Sequence, residues 1–270
     1  MKNIKFETKI SKDIFTLFSI LNMVGYNDEN NKKGMHIVRK RIRSMLENQD
    51  FGKSYTYFKK NIRKIDPWYF ICELLKKYSD TVQIKISTYY FILNFRKASQ
   101  DSSIKKLWQI FKIYHLKEAK KLFSVFKTEL TKIMAFTNKS SKNLKKIILI
   151  PNLLDAFWRG YGFKIQNIGY IVVGPGAKKN QGELIRHEFL HILAPQYHIP
   201  ARFLLKKDHS KATKLGYGGQ NIIRKEYTVI GLNLLYESII LKKNIKKDII
   251  RETKYFPHIR YVIEIIKKQL

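Results

Sequence analysis

The sequence predicts an α+β protein, mostly helical with a small sheet, and three observations carry that expectation. Apolar residues recur at helical spacing through much of the first 140 positions, most regularly from Ser103 to Phe136. Two short β-branched runs, KKIILIP and IGYIVVGP, read as buried strands over residues 145–151 and 168–175. Between these textures lies TNKSSKN, residues 137–143, polar and turn-forming. It divides a helical N-terminal region, 1–143, from a second region, 144–270, and the two are compatible with one compact unit.

Taken in order, Ser11 or Asp13 caps a helix running to about Met23, and Gly25 with NDENN ends it. Residues 35–47 and 54–64 carry mixed apolar and basic helical patterns. Asp66-Pro67 starts the next helix, which continues to about Tyr78. TVQIKISTYYFIL, from Thr81, suits a strand by its β-branched residues and a helix by its neighbourhood. Ile104, Leu107, Trp108, Phe111, Tyr114, Leu122, Phe126, Leu130 and Ile133 then mark one long helix or two collinear ones. Between the two strands, the glycines at 160 and 162 suggest a loop, or a short helix and a turn. A helix holding GELIRHEFLHILAP follows and stops at Pro195. Loop-like sequence reaches about Gln220, a long helix spans about Asn221 to Lys242, and a last one lies near residues 258–268.

The 53 Lys+Arg against 21 Asp+Glu give a formal charge of +32, which invites a polyanionic partner such as nucleic acid or an acidic membrane surface. The lysines fall singly or in pairs, however, as on solvated helix faces, and no nucleic-acid-binding motif accompanies them. No apolar run approaches the roughly 18 residues of a membrane span. Cys72 is the only cysteine, so an intrachain disulfide is excluded; a reducing compartment, the cytoplasm, fits best. Within WYFICELL it reads as a small core residue.

The chemistry is concentrated in residues 187–191, His-Glu-x-x-His. With seven histidines and twelve glutamates in 270 residues, about 0.01 chance occurrences of that pattern are expected. On a helix, positions i and i+4 project side by side, so His187 and His191 can place nitrogens about 2.0–2.1 Å from one Zn²⁺. Glu188, one step round, can reach a water on that ion as a general base without ligating it. Leu184, Ile185, Phe189, Leu190, Ile192 and Leu193 make the remaining face of the helix apolar, so three buried polar groups need a partner and a metal provides one.

HEFLH after a strand and loop resembles the active-site helix of zincin metallopeptidases. The run from KKIILIPN through YIVVGPGAKKNQGELIRHEFLHIL resembles small, poorly characterised bacterial gluzincin-like peptidases. The resemblance covers about residues 144–240. It implies a zincin-like core with two active-site helices, zinc as cofactor and a peptide or protein substrate. It also implies that the strand before the motif helix, Gly169 to Gly174, is a sheet edge that pairs with substrate.

A third ligand is required. The metzincin spacing would need Gly at 194 and His at 197, where this chain has Ala194 and Tyr197. The gluzincin pattern points instead to a glutamate on a later helix: Glu226, 35 residues after His191. Glu237 lies three turns further along the same face; His198, Asp208 and His209 are the remaining alternatives. An oxyanion donor could come from Tyr197, His198, His209, Tyr217, Arg224 or Tyr227, among which the sequence does not choose. Charge motivates a second reading, a catalytically inactive zincin-fold module that binds nucleic acid or another polyanion.

Overall fold

The structure, a computed structural model, describes residues 4–26, 34–47, 52–62, 66–76, 86–137, 144–176, 181–204, 209–214 and 219–270. It is mostly helical and carries one four-stranded sheet, built from β1 (Lys5–Thr8), β2 (Lys146–Pro151), β3 (Gly160–Ile165) and β4 (Ile168–Val173) in the order β1-β2-β4-β3. β1, β2 and β4 run parallel; β3 is antiparallel to β4. A two-residue turn joins β3 to β4, and Gln166 takes the positive φ (52°) that such tight turns demand.

β2 and β4 are apolar throughout because both faces of the sheet are covered. Ile147, Leu149, Ile171 and Val173 point to one face and Ile148, Ile150 and Val172 to the other, following the two-residue period of a strand. On the second face lie α1 (Lys12–Met23), α2 (Ile37–Leu46), α3 (Gly52–Asn61), α4 (Pro67–Leu75) and α5 (Ile86–Gln100), packed on Tyr161 and Phe163 of β3 as well. On the first face lie α7 (Gln181–Leu193), α9 (Gln220–Ile239) and α11 (Ile259–Lys267). The 36-residue α6 (Ser102–Thr137) serves both layers: Ile104, Leu107 and Phe111 join the N-terminal helices, whereas Leu122, Phe126, Leu130 and Ile133 pack under α7. Two short helices, α8 (Ser210–Lys214) and α10 (Lys246–Thr253), complete the described elements.

Local chemistry explains most boundaries. Ser11 caps α1 through a 3.2 Å bond from the Ile14 N–H, and Asp66 caps α4 through a 3.0 Å bond from Trp68, with Pro67 at the first turn. Pro195 turns the end of α7 into one 3₁₀ turn, Ala194–Gln196.

Several expectations change. β1 adds a strand inside a stretch whose sequence reads as almost wholly helical, and α8 and α10 appear where no helix was expected. Along α6 the buried residue is His115, not Tyr114: its Nδ1 bonds the Phe111 carbonyl and its Nε2 accepts from the Leu153 N–H. The ambiguous run from Thr81 is helical from Ile86, its first five residues lying outside the described ones, as does the turn at 138–143. The glycines at 160 and 162 belong to a strand, not a loop. β4 is not a sheet edge, because β2 and β3 flank it; β3 is the edge on that side. Among the described residues no helix is long and apolar enough to cross a membrane.

Candidate metal centre

The centre is built where α7 crosses beneath β3. Gly160 and Gly162 make that crossing possible: a Cβ at 162 would sit 1.7 Å from the backbone oxygen of Glu188, and one at 160 would meet the Glu188 side chain at 2.5–2.7 Å. Glycines two apart on a strand, facing a helix, mark close backbone approach. The Gly162 N–H donates to the Glu188 carboxylate, so β3 both admits the helix and orients its acid.

One turn apart on α7, His187 and His191 bring their Nε2 atoms to 3.3 Å. Glu226, on α9, places Oε1 3.5 Å from His191 Nε2. Bonds of roughly 2.0–2.1 Å to a tetrahedral ion separate neighbouring donors by about 3.4 Å, so both spacings fit zinc. Among the described residues the compact set of three donor atoms, all within 4.8 Å of one another, comprises His187, Glu188 and His191. Glu226 is not a member of that set and meets it only through its 3.5 Å approach to His191.

Electrostatics match the same use. Burial, helped by the adjacent Arg186 charge, pushes His187 down to about 4; burial, then His187 and Lys225, pushes His191 down to about 3. Both imidazoles are therefore neutral at pH 7, the form that ligates metal. Burial raises Glu188 to about 8, reinforced by the Glu226 charge and opposed by the Gly162 N–H and Arg159. Burial raises Glu226 to about 7 against the pull of Lys225. Two neutral imidazoles beside two desolvated carboxylates form a donor set that a dication would stabilise.

On the other flank of α7, Arg186 locks the helix in place. It donates to Asn233 (2.7 Å), Glu129 (3.2 Å) and Glu237 (2.9 Å) and lies over the Tyr236 ring. This network ties α6, α7 and α9 together and holds the spacing between the histidines and Glu226. It also occupies Glu237, which pairs with Arg186 and Lys243.

The remaining candidates fall elsewhere. His209 is fully buried, its Nε2 2.9 Å from the Tyr227 hydroxyl, and that hydroxyl also accepts from the His258 N–H. Tyr227 thus anchors α9 to the segment before α11. Tyr197 is packed in the apolar cluster beneath the sheet, where burial raises its hydroxyl to about 12. His198 is exposed, its backbone tied to Gln269, and Arg224 is exposed on α9 with Asn221. Asp208 and Tyr217 lie outside the described residues. The residues that sequence reasoning missed are Gly160, Gly162 and Arg186; for the glycines, the two-residue spacing before an apolar run was the available signal. No protein-family model, curated protein or solved structure matches the chain.

Proposed function

We propose that this chain is a zinc-dependent metallopeptidase with a zincin-like core, in which His187, His191 and Glu226 hold the metal and Glu188 is the general base. The observation that carries this reading is the pair of donor spacings, 3.3 Å and 3.5 Å, generated by residues on two separate helices. A bound zinc ion would supply Lewis acidity, polarising the scissile carbonyl and acidifying water at neutral pH. Glu188, fixed by the Gly162 N–H, takes the proton of the attacking water and then delivers it to the leaving amine. Among the described residues the outer edge of β3 (Gly160–Ile165) has no strand beside it, and it runs past Glu188. An extended peptide paired there would lie over the centre, the backbone recognition that a sheet edge offers.

The decisive experiment measures zinc content and peptide cleavage for the parent chain and for Glu188→Gln. Retained zinc with cleavage reduced at least about 100-fold is expected. Undiminished cleavage removes Glu188 from the mechanism. A zinc-free parent that binds DNA or RNA with steep salt dependence would favour the inactive polyanion-binding module instead.

A further inference from the structure

Beside the metal centre, three elements from different parts of the chain meet around one cation. Lys225 directly precedes Glu226 on α9 and is exposed. Its Nζ lies 5.7 Å from the centroid of the Trp68 ring. Trp68 stands in the first turn of α4, 39% exposed, and packs edge-on against Phe163 of β3 at 6.3 Å. The N-terminal helices therefore reach the free edge of β3 and, through Trp68, steady the lysine beside it.

Gly162, which bonds Glu188, adjoins Phe163, so a peptide along β3 with its reacting bond at Glu188 passes, about one residue further on, the Trp68 ring that carries Lys225. A lysine resting on an aromatic face keeps its donors directed to whatever enters the cleft. Trp68 and Lys225 together offer one apolar wall and one positive charge, which suits a carboxylate on a short aliphatic stem.

We propose that Lys225, backed by Trp68, forms a subsite that selects ligands bearing a carboxylate next to the bond to be cut. This rests on the peptidase reading of the centre. The carboxylate has two sources, an acidic side chain or the free C-terminus of a peptide, and both present the same anion to the same cation.

The test uses the zinc-loaded Glu188→Gln chain, so that binding is read without turnover. Fluorescein-labelled octapeptides are compared by anisotropy. One arm is C-terminally amidated and places Glu, Gln or Lys at successive positions; the other carries neutral residues and a free or amidated C-terminus. The expected result is about tenfold tighter binding of the carboxylate over its amide in at least one arm, weakened by salt. The arm that shows it identifies the source. Lys225→Glu in the same background, compared at saturating zinc, should reverse the preference toward lysine peptides with far-ultraviolet dichroism unchanged. Trp68→Ala should narrow the discrimination. Equal binding of acid and amide, no binding of any peptide, or a preference that survives Lys225→Glu overturns the subsite. Discrimination that follows Lys225 in a parent chain unable to cleave any of these peptides would instead sink the peptidase reading and leave the subsite standing.

Discussion

Replacing each of the two β3 glycines by alanine should separate folding from catalysis. At position 162 the added methyl would lie 1.7 Å, 2.6 Å and 3.0 Å from the backbone O, C and Cα of Glu188. No flexible side-chain end is available to yield. To reach even the 3.0 Å below which such contacts are essentially absent, β3 and α7 must separate locally by about 1.3 Å. Overpacking of this kind costs about 1–3 kcal/mol, and the displaced Gly162 N–H forfeits its bond to the Glu188 carboxylate, about another 1.5–3 kcal/mol. The gain from a stiffer unfolded chain, about 0.4–1 kcal/mol, offsets only part of this. Gly162→Ala should therefore lose about 3–4 kcal/mol, a drop of roughly 10 °C in Tm for a chain of this size. At position 160 the methyl meets only the Glu188 side chain, which can rotate aside. Gly160→Ala should lose only about 1–2 kcal/mol, because no backbone need move, and keep its zinc, yet lose roughly 100-fold in kcat because the acid is displaced by about 1 Å. Denaturant melts, metal analysis and peptide cleavage on both variants read these outcomes. A Gly162→Ala chain as stable as the parent, or two variants alike in all three measurements, would refute the close-approach argument.

The pH dependence of the metal-free chain gives a further check. Glu188 and Glu226 have folded-state values raised to about 8 and about 7, so their contributions to stability are lost as pH rises toward those values. His187, His191 and His115 are lowered to about 4, about 3 and about 4, so theirs grow as pH rises toward the unfolded value of about 6.5. These trends oppose each other below pH 6.5; above it the carboxylates alone still titrate. Apo stability should fall by about 2 kcal/mol between pH 6.5 and 8, and saturating zinc should remove the slope. Zinc binding near pH 6.5 should release protons, seen by calorimetry in buffers of different ionisation enthalpy. Glu226→Gln should weaken zinc binding at least about tenfold with little change in apo stability. Glu237→Gln should do the reverse, destabilising by about 2 kcal/mol by removing one of the two carboxylates that neutralise the buried Arg186, with zinc content retained at temperatures where the chain is folded.

How much of this was legible before the structure depended on whether a signal was local. The helix bearing His187 and His191, the strands β2 and β4 and the caps at Ser11 and Asp66 follow from short-range periodicity and side-chain chemistry, and the sequence carries both. Glu226 could be named because the gluzincin resemblance asks for a glutamate near the start of a later helix, though its 3.5 Å approach to His191 is a tertiary fact. β1 was not legible: four residues, Lys5–Thr8, become a strand only because Lys146–Leu149 lie alongside. Gly160 and Gly162 looked like chain-breakers because glycine favours loops in general, and the helix that requires them lies more than twenty residues away. His115 and Arg186 were hidden for a related reason. Polar residues on an apolar helix face read as surface until their buried partners, Leu153 in one case and Glu129, Asn233 and Glu237 in the other, come into contact.

The pairing of β1 with β2 sets Lys5 opposite Lys146, the two ends of a loop that includes every N-terminal helix. During synthesis at roughly 5–20 residues per second, β1 leaves the ribosome on the order of ten seconds before its partner strand exists. The helices from α1 to α6 emerge in that interval, and the sheet whose face they cover is completed only afterwards. Their apolar flanks are exposed for longest in the nascent chain, which makes this segment the one most in need of a holding chaperone until residue 173 has emerged.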